Sequence, residues 1–184
     1  MRVGLRHKRA YGIVSVMKPS LIGLCLLLSL AATGTLRAAP LDDANAAFQR
    51  GDYAGAEKIL LPMAEAGNAY AQYRLGMVYA EAPGELGSAE EAAKWYESAA
   101  MQGQSIAQYK LGILYVNGKG VPKDFILAYT WLSLSSRNTV SGISEAARQL
   151  DMLSTRMTSS QIAEAKKLVK EWRPIRPDPT QQQR

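Results

Sequence analysis

Residues 71–103 read AQYRLGMVYAEAPGELGSAEEAAKWYESAAMQG, and residues 107–138 read AQYKLGILYVNGKGVPKDFILAYTWLSLSSRN. Overlaid at an offset of 36 without a gap, they agree at Ala71/Ala107, Gln72/Gln108, Tyr73/Tyr109, Leu75/Leu111, Gly76/Gly112, Tyr79/Tyr115, Gly84/Gly120, Ala92/Ala128 and Trp95/Trp131. The same offset carried backwards pairs Gly67/Gly103, Ala64/Ala100, Ala56/Ala92 and Gly51/Gly87, so a worn copy precedes the two clear ones. Self-similarity at one fixed period is the signature of a repeat architecture. One such unit cannot bury its apolar face alone, so the units must stack.

Inside each unit the apolar period is helical. Ala71, Leu75 and Val78 share one stripe, and Ala92, Tyr96 and Ala99/Ala100 share another. Each unit therefore reads as helix A, a loop and helix B. Ser88 followed by Glu91 predicts a capping box that opens helix B of the first clear unit. Gly67 and Gly103 stand where a helix end needs a left-handed residue. The stretch NGKGVPKD predicts a turn, with Gly118 and Gly120 free to take positive φ and Asp124 as the next N-cap. Pro62, inside the helical stretch ILLPMAEAG, is expected to kink or divide its helix. Gly76 and Gly112 in mid-helix each cost about 1 kcal/mol against alanine. That cost makes sense where a neighbouring helix must come close, and Trp95 and Trp131 are large enough to fill the space between hairpins.

The pattern A-x-x-x-L-G-x-x-Y, a G-x-G-V-x-x-D turn, then A-x-x-W and A-A-x-x-G, resembles the Sel-1-like repeat, a relative of the tetratricopeptide repeat. The second copy carries it at Ala107, Leu111, Gly112, Tyr115, Gly118, Gly120, Val121, Asp124, Ala128 and Trp131. The first carries it at Ala71, Leu75, Gly76, Tyr79, Gly84, Ala92, Trp95, Ala99, Ala100 and Gly103. The first departs at Ala82 and Ser88 in the turn; the second departs at Ser135, Ser136 and Asn138. The resemblance implies an all-α fold, a right-handed α-solenoid of about four hairpins. The expected divisions are a degenerate repeat over 43–70, repeats over 71–106 and 107–138, and a closing helix pair over 141–172. Thr158 with Gln161 caps the last helix, and the proline-rich residues 173–184 are expected to be disordered.

Ahead of the repeat domain, 39–172, five basic residues precede an apolar run, Leu21 to Gly34, and TLRAAP follows. This reads as a secretory signal, residues 1–38, with Met17 as an alternative start of more usual leader length. The apolar run of 14 residues is short for a bilayer span. The whole chain holds 22 basic and 16 acidic residues, but the leader takes six basic and no acidic ones, leaving a net charge of zero. A balanced domain offers no basic patch for nucleic acid. Cys25 and His7 are the only cysteine and histidine, and both lie in the leader. The exported domain is thus expected to have no disulfide, no thiolate nucleophile, no Ser-His-Asp triad and no zinc site with nitrogen or sulfur ligands.

No catalytic constellation remains. Ser15 to Lys18 fits S-x-x-K but lies in the leader, and Gly118-Lys119-Gly120 lacks the rest of a P-loop. Glu90 and Glu91 are adjacent on a helix, point about 100° apart and suit its N-terminal dipole. The resemblance implies an adaptor whose motif residues pack and whose curved inner surface, lined by helix A, holds a partner protein. The candidate contact residues are Gln72, Arg74, Met77, Gln108, Lys110 and Ile113, although a helical Arg or Lys is most often solvated and a Met most often core. No cofactor and no metal is expected, nor any membrane contact once the leader is removed. The expected site is the periplasm or the exterior, and a short solenoid leaves its ends open to weak self-association. Two alternatives stand: a binder or hydrolase of cell-wall fragments, and an assembly factor tethered by an uncleaved leader. Some cysteine-rich exported members of the family act on β-lactams or wall fragments; they carry a disulfide in each repeat, which this chain lacks.

Overall fold

Alternation of short amphipathic helices with capped turns gives eight α-helices among the described residues, 40–138 and 143–175 of a computed structural model. They are α1 (Pro40–Gln49), α2 (Tyr53–Glu65), α3 (Ala69–Glu81), α4 (Ala89–Met101), α5 (Ser105–Asn117), α6 (Phe125–Asn138), α7 (Ile143–Ser154) and α8 (Ser159–Glu171). A short 3-10 turn, Gly84–Leu86, lies between α3 and α4. The described residues belong to one compact unit, Ala38–Arg184. The expected leader, with His7, Ser15 to Lys18 and Cys25, lies outside the described residues, as does the tail from 176 onward.

The helices pair as α1/α2, α3/α4 and α5/α6, the first three expected hairpins, whereas α7 and α8, expected as a closing pair, each pack on α6. Odd-numbered helices form the helix-A layer: Arg74 of α3 lies over Phe48 of α1, and Tyr109 of α5 faces Glu145 of α7. Even-numbered helices form the helix-B layer, in which Trp131 of α6 meets Trp172 at the end of α8 edge to face. Stacking produces three cores. Ala44, Ala56, Leu60, Ala71 and Leu75 fill the first. Tyr73, Tyr96, Ala100, Leu111 and Trp131 fill the second. Ala128, Leu132 and Leu153 fill the third. The many alanines let helix axes approach closely, and the aromatic rings fill what remains.

The 36-residue template is visible in individual hydrogen bonds. Asp52, Ser88 and Asp124 each cap a helix B by accepting from the backbone N–H three residues on, at 2.9, 3.2 and 2.9 Å. Asn68 and Gln104 do the same for α3 and α5, at 3.0 and 2.5 Å. The N–H groups of Ser88 and Asp124 bond the carbonyls of Tyr79 and Tyr115, tying each helix-B start to the helix A before it. Gly67 and Gly103 take φ of 87° and 89° as predicted, and Gly118 and Gly120 take 68° and 72°. A Cβ on Gly76 would sit 2.7 Å from the Tyr96 ring, and one on Gly112 would sit 2.8 Å from Leu132. Tyr96 and Leu132 are themselves one repeat apart, so the same close crossing occurs twice.

Three local expectations are corrected. Pro62 does not divide its helix: α2 runs unbroken to Glu65, and the Ala66 N–H bonds the Pro62 carbonyl at 3.1 Å. Pro62 is exposed while Leu60 and Ala64 beside it are buried, so packing holds the helix across the missing N–H. The capping box at α4 is half formed, because the Glu91 carboxylate turns to Lys94 at 2.6 Å instead of back to the Ser88 backbone. The full reciprocal box exists at Thr158/Gln161. Finally, the expected disordered tail begins in order. The Ile175 N–H bonds the Met101 carbonyl at 2.8 Å, and Trp172 and Pro174 close over Gly103.

Candidate functional site

On α3 the outward arc is Tyr70, Arg74, Met77 and Glu81; on α5 it is Ile106, Lys110, Ile113 and Asn117. The spacing i, i+4, i+7, i+11 puts each set on one helix face, and the two sets correspond position by position at the 36-residue offset. Tyr70 and Ile106, at matching positions of the two repeats, are 41% and 45% exposed. Arg74 and Lys110 follow one turn later, each half-buried. The Arg74 guanidinium lies 4.7 Å from the Phe48 ring centre and reaches the Met77 sulfur at 3.6 Å. Its Nε is buried with no hydrogen-bond partner. Met77 and Ile113 are half-buried, packed against the second and third cores respectively.

Arg74, Met77, Lys110 and Ile113 thus fall on this face, but Gln72 and Gln108 do not. Gln72 is 7% exposed; its Nε2 donates to the Ala64 carbonyl at 3.0 Å and its Oε1 accepts from Gln102 at 2.7 Å. Gln108 is fully buried, with its Nε2 on the Ala100 carbonyl at 3.1 Å. Each amide tethers helix A to the C-terminal end of the preceding helix B. The row of surface polar residues expected at 72, 74, 108 and 110 is therefore half interior. Helical phase carried the signal: Gln72 shares a stripe with Leu75, Gly76 and Tyr79. Tyr70 and Ile106, one turn before Arg74 and Lys110 on the same arc, were not among the expected contact residues.

The tyrosines behave as packing groups. Burial pushes the Tyr96 and Tyr73 hydroxyls up, the latter partly offset by Arg74. Burial and the Glu57 carboxylate, which accepts from the Tyr79 hydroxyl at 2.7 Å, raise Tyr79. Burial and Glu145 raise Tyr109, while Glu145 itself is lowered by Gln149 and Arg148. Each of these tyrosines is held neutral across the physiological range. Among the described residues no three His, Cys, Asp or Glu side chains gather as a metal site would require, and no helix is long and apolar enough to cross a membrane. A cavity of about 500 Å³ is lined by Lys123, Asp124, Phe125, Ile126 and Gln161, where Lys123 and Arg156 both lie over the Phe125 ring.

Residues 69–104 and 105–139 match the Sel1 repeat. The fold is similar to a protective antigen of uropathogenic Escherichia coli displaying an SLR fold, at 24% identity and a TM-score of 0.67. That likeness covers 81% of this chain, which spans 32% of the length of the antigen chain. A Sel1 repeat protein from Oxalobacter formigenes is 31% identical, with a TM-score of 0.51, over 72% of this chain and 99% of its own. No curated protein matches. Sel1 repeats generally mediate protein–protein interaction and are typically non-catalytic scaffolds. With its two matched repeats and their shared caps and close crossings, the chain belongs to the Sel1 repeat family.

Proposed function

We propose that the chain is a non-catalytic adaptor of the bacterial cell envelope, exported by its N-terminal leader, that binds a partner protein along the helix-A face. The observation that carries this reading is the doubled outward stripe, with Tyr70/Ile106, Arg74/Lys110 and Met77/Ile113 one repeat apart. An exposed tyrosine with a half-buried arginine and methionine on one arc, as at Tyr70, Arg74 and Met77, is a composition that protein interfaces favour. Met77 and Ile113, half-buried, add apolar surface backed by the cores beneath them. Gln72 and Gln108 are left out, since their side chains are buried inside the fold and donate to helix-end carbonyls.

A photo-reactive residue at 70, 74, 106 or 110 should crosslink one envelope protein in living cells, whereas the same probe at Lys94 or Glu97 on α4 should not. Crosslinks only from α4 would move the docking face to the other layer. Arg74→Glu with Lys110→Glu should lower affinity for the crosslinked partner at least tenfold, the effect of losing about 1.4 kcal/mol. Export is tested separately by mass: the processed chain should begin near residue 39, and an intact leader would favour the tethered alternative. Binding or turnover of peptidoglycan fragments by the purified protein would favour the cell-wall alternative.

A further inference from the structure

The balanced charge of the domain hides a division. Residues 40–104, the first two hairpins, hold ten acidic and four basic residues, net −6. Residues 105–175, which carry α5 to α8, hold ten basic and five acidic residues, net +5. The division lies almost wholly in the helix-B layer. Residues 52–65 and 84–101, which form α2, α4 and their leading turns, hold seven acidic and two basic residues. Residues 118–137 and 156–173, which form α6, α8 and their leading turns, hold eight basic and three acidic residues. The helix-A segments are nearly neutral in both halves, at −1 for 40–50 with 69–81 and 0 for 105–117 with 143–154. Glu85, Glu90 and Glu97 on one side and Lys166, Lys167 and Lys170 on the other are all exposed. The ion pairs Lys94–Glu91 and Arg148–Glu145 are each local to one helix, so neither joins the acidic half to the basic half.

We propose that this layer docks a second copy of the same chain, antiparallel, so that α2 and α4 of each copy face α6 and α8 of the other. Charge complementarity selects the occupant. The two patches have opposite sign and similar magnitude (−5 and +5). Turning the partner end for end about a two-fold axis opposes both pairs of patches at once and closes the assembly. Parallel head-to-tail contact would satisfy one pair per interface and run on as a fibre. Leu168, 37% exposed among Lys166, Lys167 and Lys170, supplies an apolar point within the basic patch. The arrangement leaves both helix-A faces open, and so does not depend on the adaptor reading. Because charge complementarity chiefly sets partner choice and association rate, the dimer is salt-sensitive.

Sedimentation of the purified chain should give twice the monomer mass at about 20 mM salt and the monomer mass at about 500 mM, where the screening length falls below a contact shell. Lys166→Glu/Lys167→Glu/Lys170→Glu should be monomeric at low salt, and so should Glu85→Lys/Glu90→Lys/Glu97→Lys. Mixing the two reversed variants should restore the doubled mass as a heterodimer, an outcome that misfolded variants could not give. Arg74→Glu/Lys110→Glu, on the other layer, should leave the dimer intact. A monomer at every salt concentration would overturn the proposal, whether or not it binds anionic vesicles. A dimer indifferent to salt and to both reversals would overturn it equally.

Discussion

At Gly112, a methyl group would lie 2.8 Å from Leu132 Cγ and 3.3 Å from the Ala128 carbonyl. Helix propensity alone would reward Gly112→Ala with about 1 kcal/mol. Overpacking at a crossing of this kind costs about 1–3 kcal/mol, so the crossing should win and the melting temperature should fall. A rise in melting temperature would show that the two helices can separate freely. Gly76→Ala, against the Tyr96 ring, should behave alike. Gln108→Leu removes one buried hydrogen bond and should cost about 1 kcal/mol by denaturant titration, while leaving partner affinity unchanged. The identities of these residues were legible as a repeat, and the glycines as close crossings. The direction of Gln72 and Gln108 was not, because residue type was weighed above helical phase. A polar amide is admitted to the core when, as here, it reaches a carbonyl at a neighbouring helix end.

For whole helices, the caps were the most readable feature. Asp52, Ser88 and Asp124 recur because each helix B must satisfy the same orphan N–H groups after the same turn. Pro62 and the ordered start of the tail were less readable, since both are decided by tertiary packing. The last helix is the most exposed test of that packing. α8 buries Ala165 and Val169 and is closed by Trp172 against Trp131. Thr158→Ala, which removes the capping box, should cost about 1 kcal/mol. Trp172→Ala should free α8 and residues 173–175 together. Hydrogen exchange should then show α8 amides losing protection while α1 to α4 keep theirs, because repeats lean mainly on their neighbours. Uniform loss of protection along the chain would contradict nearest-neighbour stacking.

At the scale of the whole molecule, five tyrosines among the described residues, at positions 73, 79, 96, 109 and 115, are raised, chiefly by burial. A group whose folded pKa lies above its unfolded value stabilises fully below the unfolded value, near 10 for tyrosine, and loses that contribution as pH rises further. Stability should therefore be flat from neutral pH to about 9 and fall steeply beyond about 10, with helix content lost over that higher range. Stability against denaturant that stays flat well above about pH 10 would place these five rings in water. The stack itself, with one face repeating every 36 residues, is the claim from which both docking proposals descend. Single cysteines placed at 70, 106, 72 and 108, in a chain with Cys25 replaced by serine, would test it through their rate of reaction with a maleimide. Positions 70 and 106 should react at the rate of a free thiol, and positions 72 and 108 only as fast as the fold opens. Equal rates at 70 and 72, or at 106 and 108, would contradict the register and remove the face.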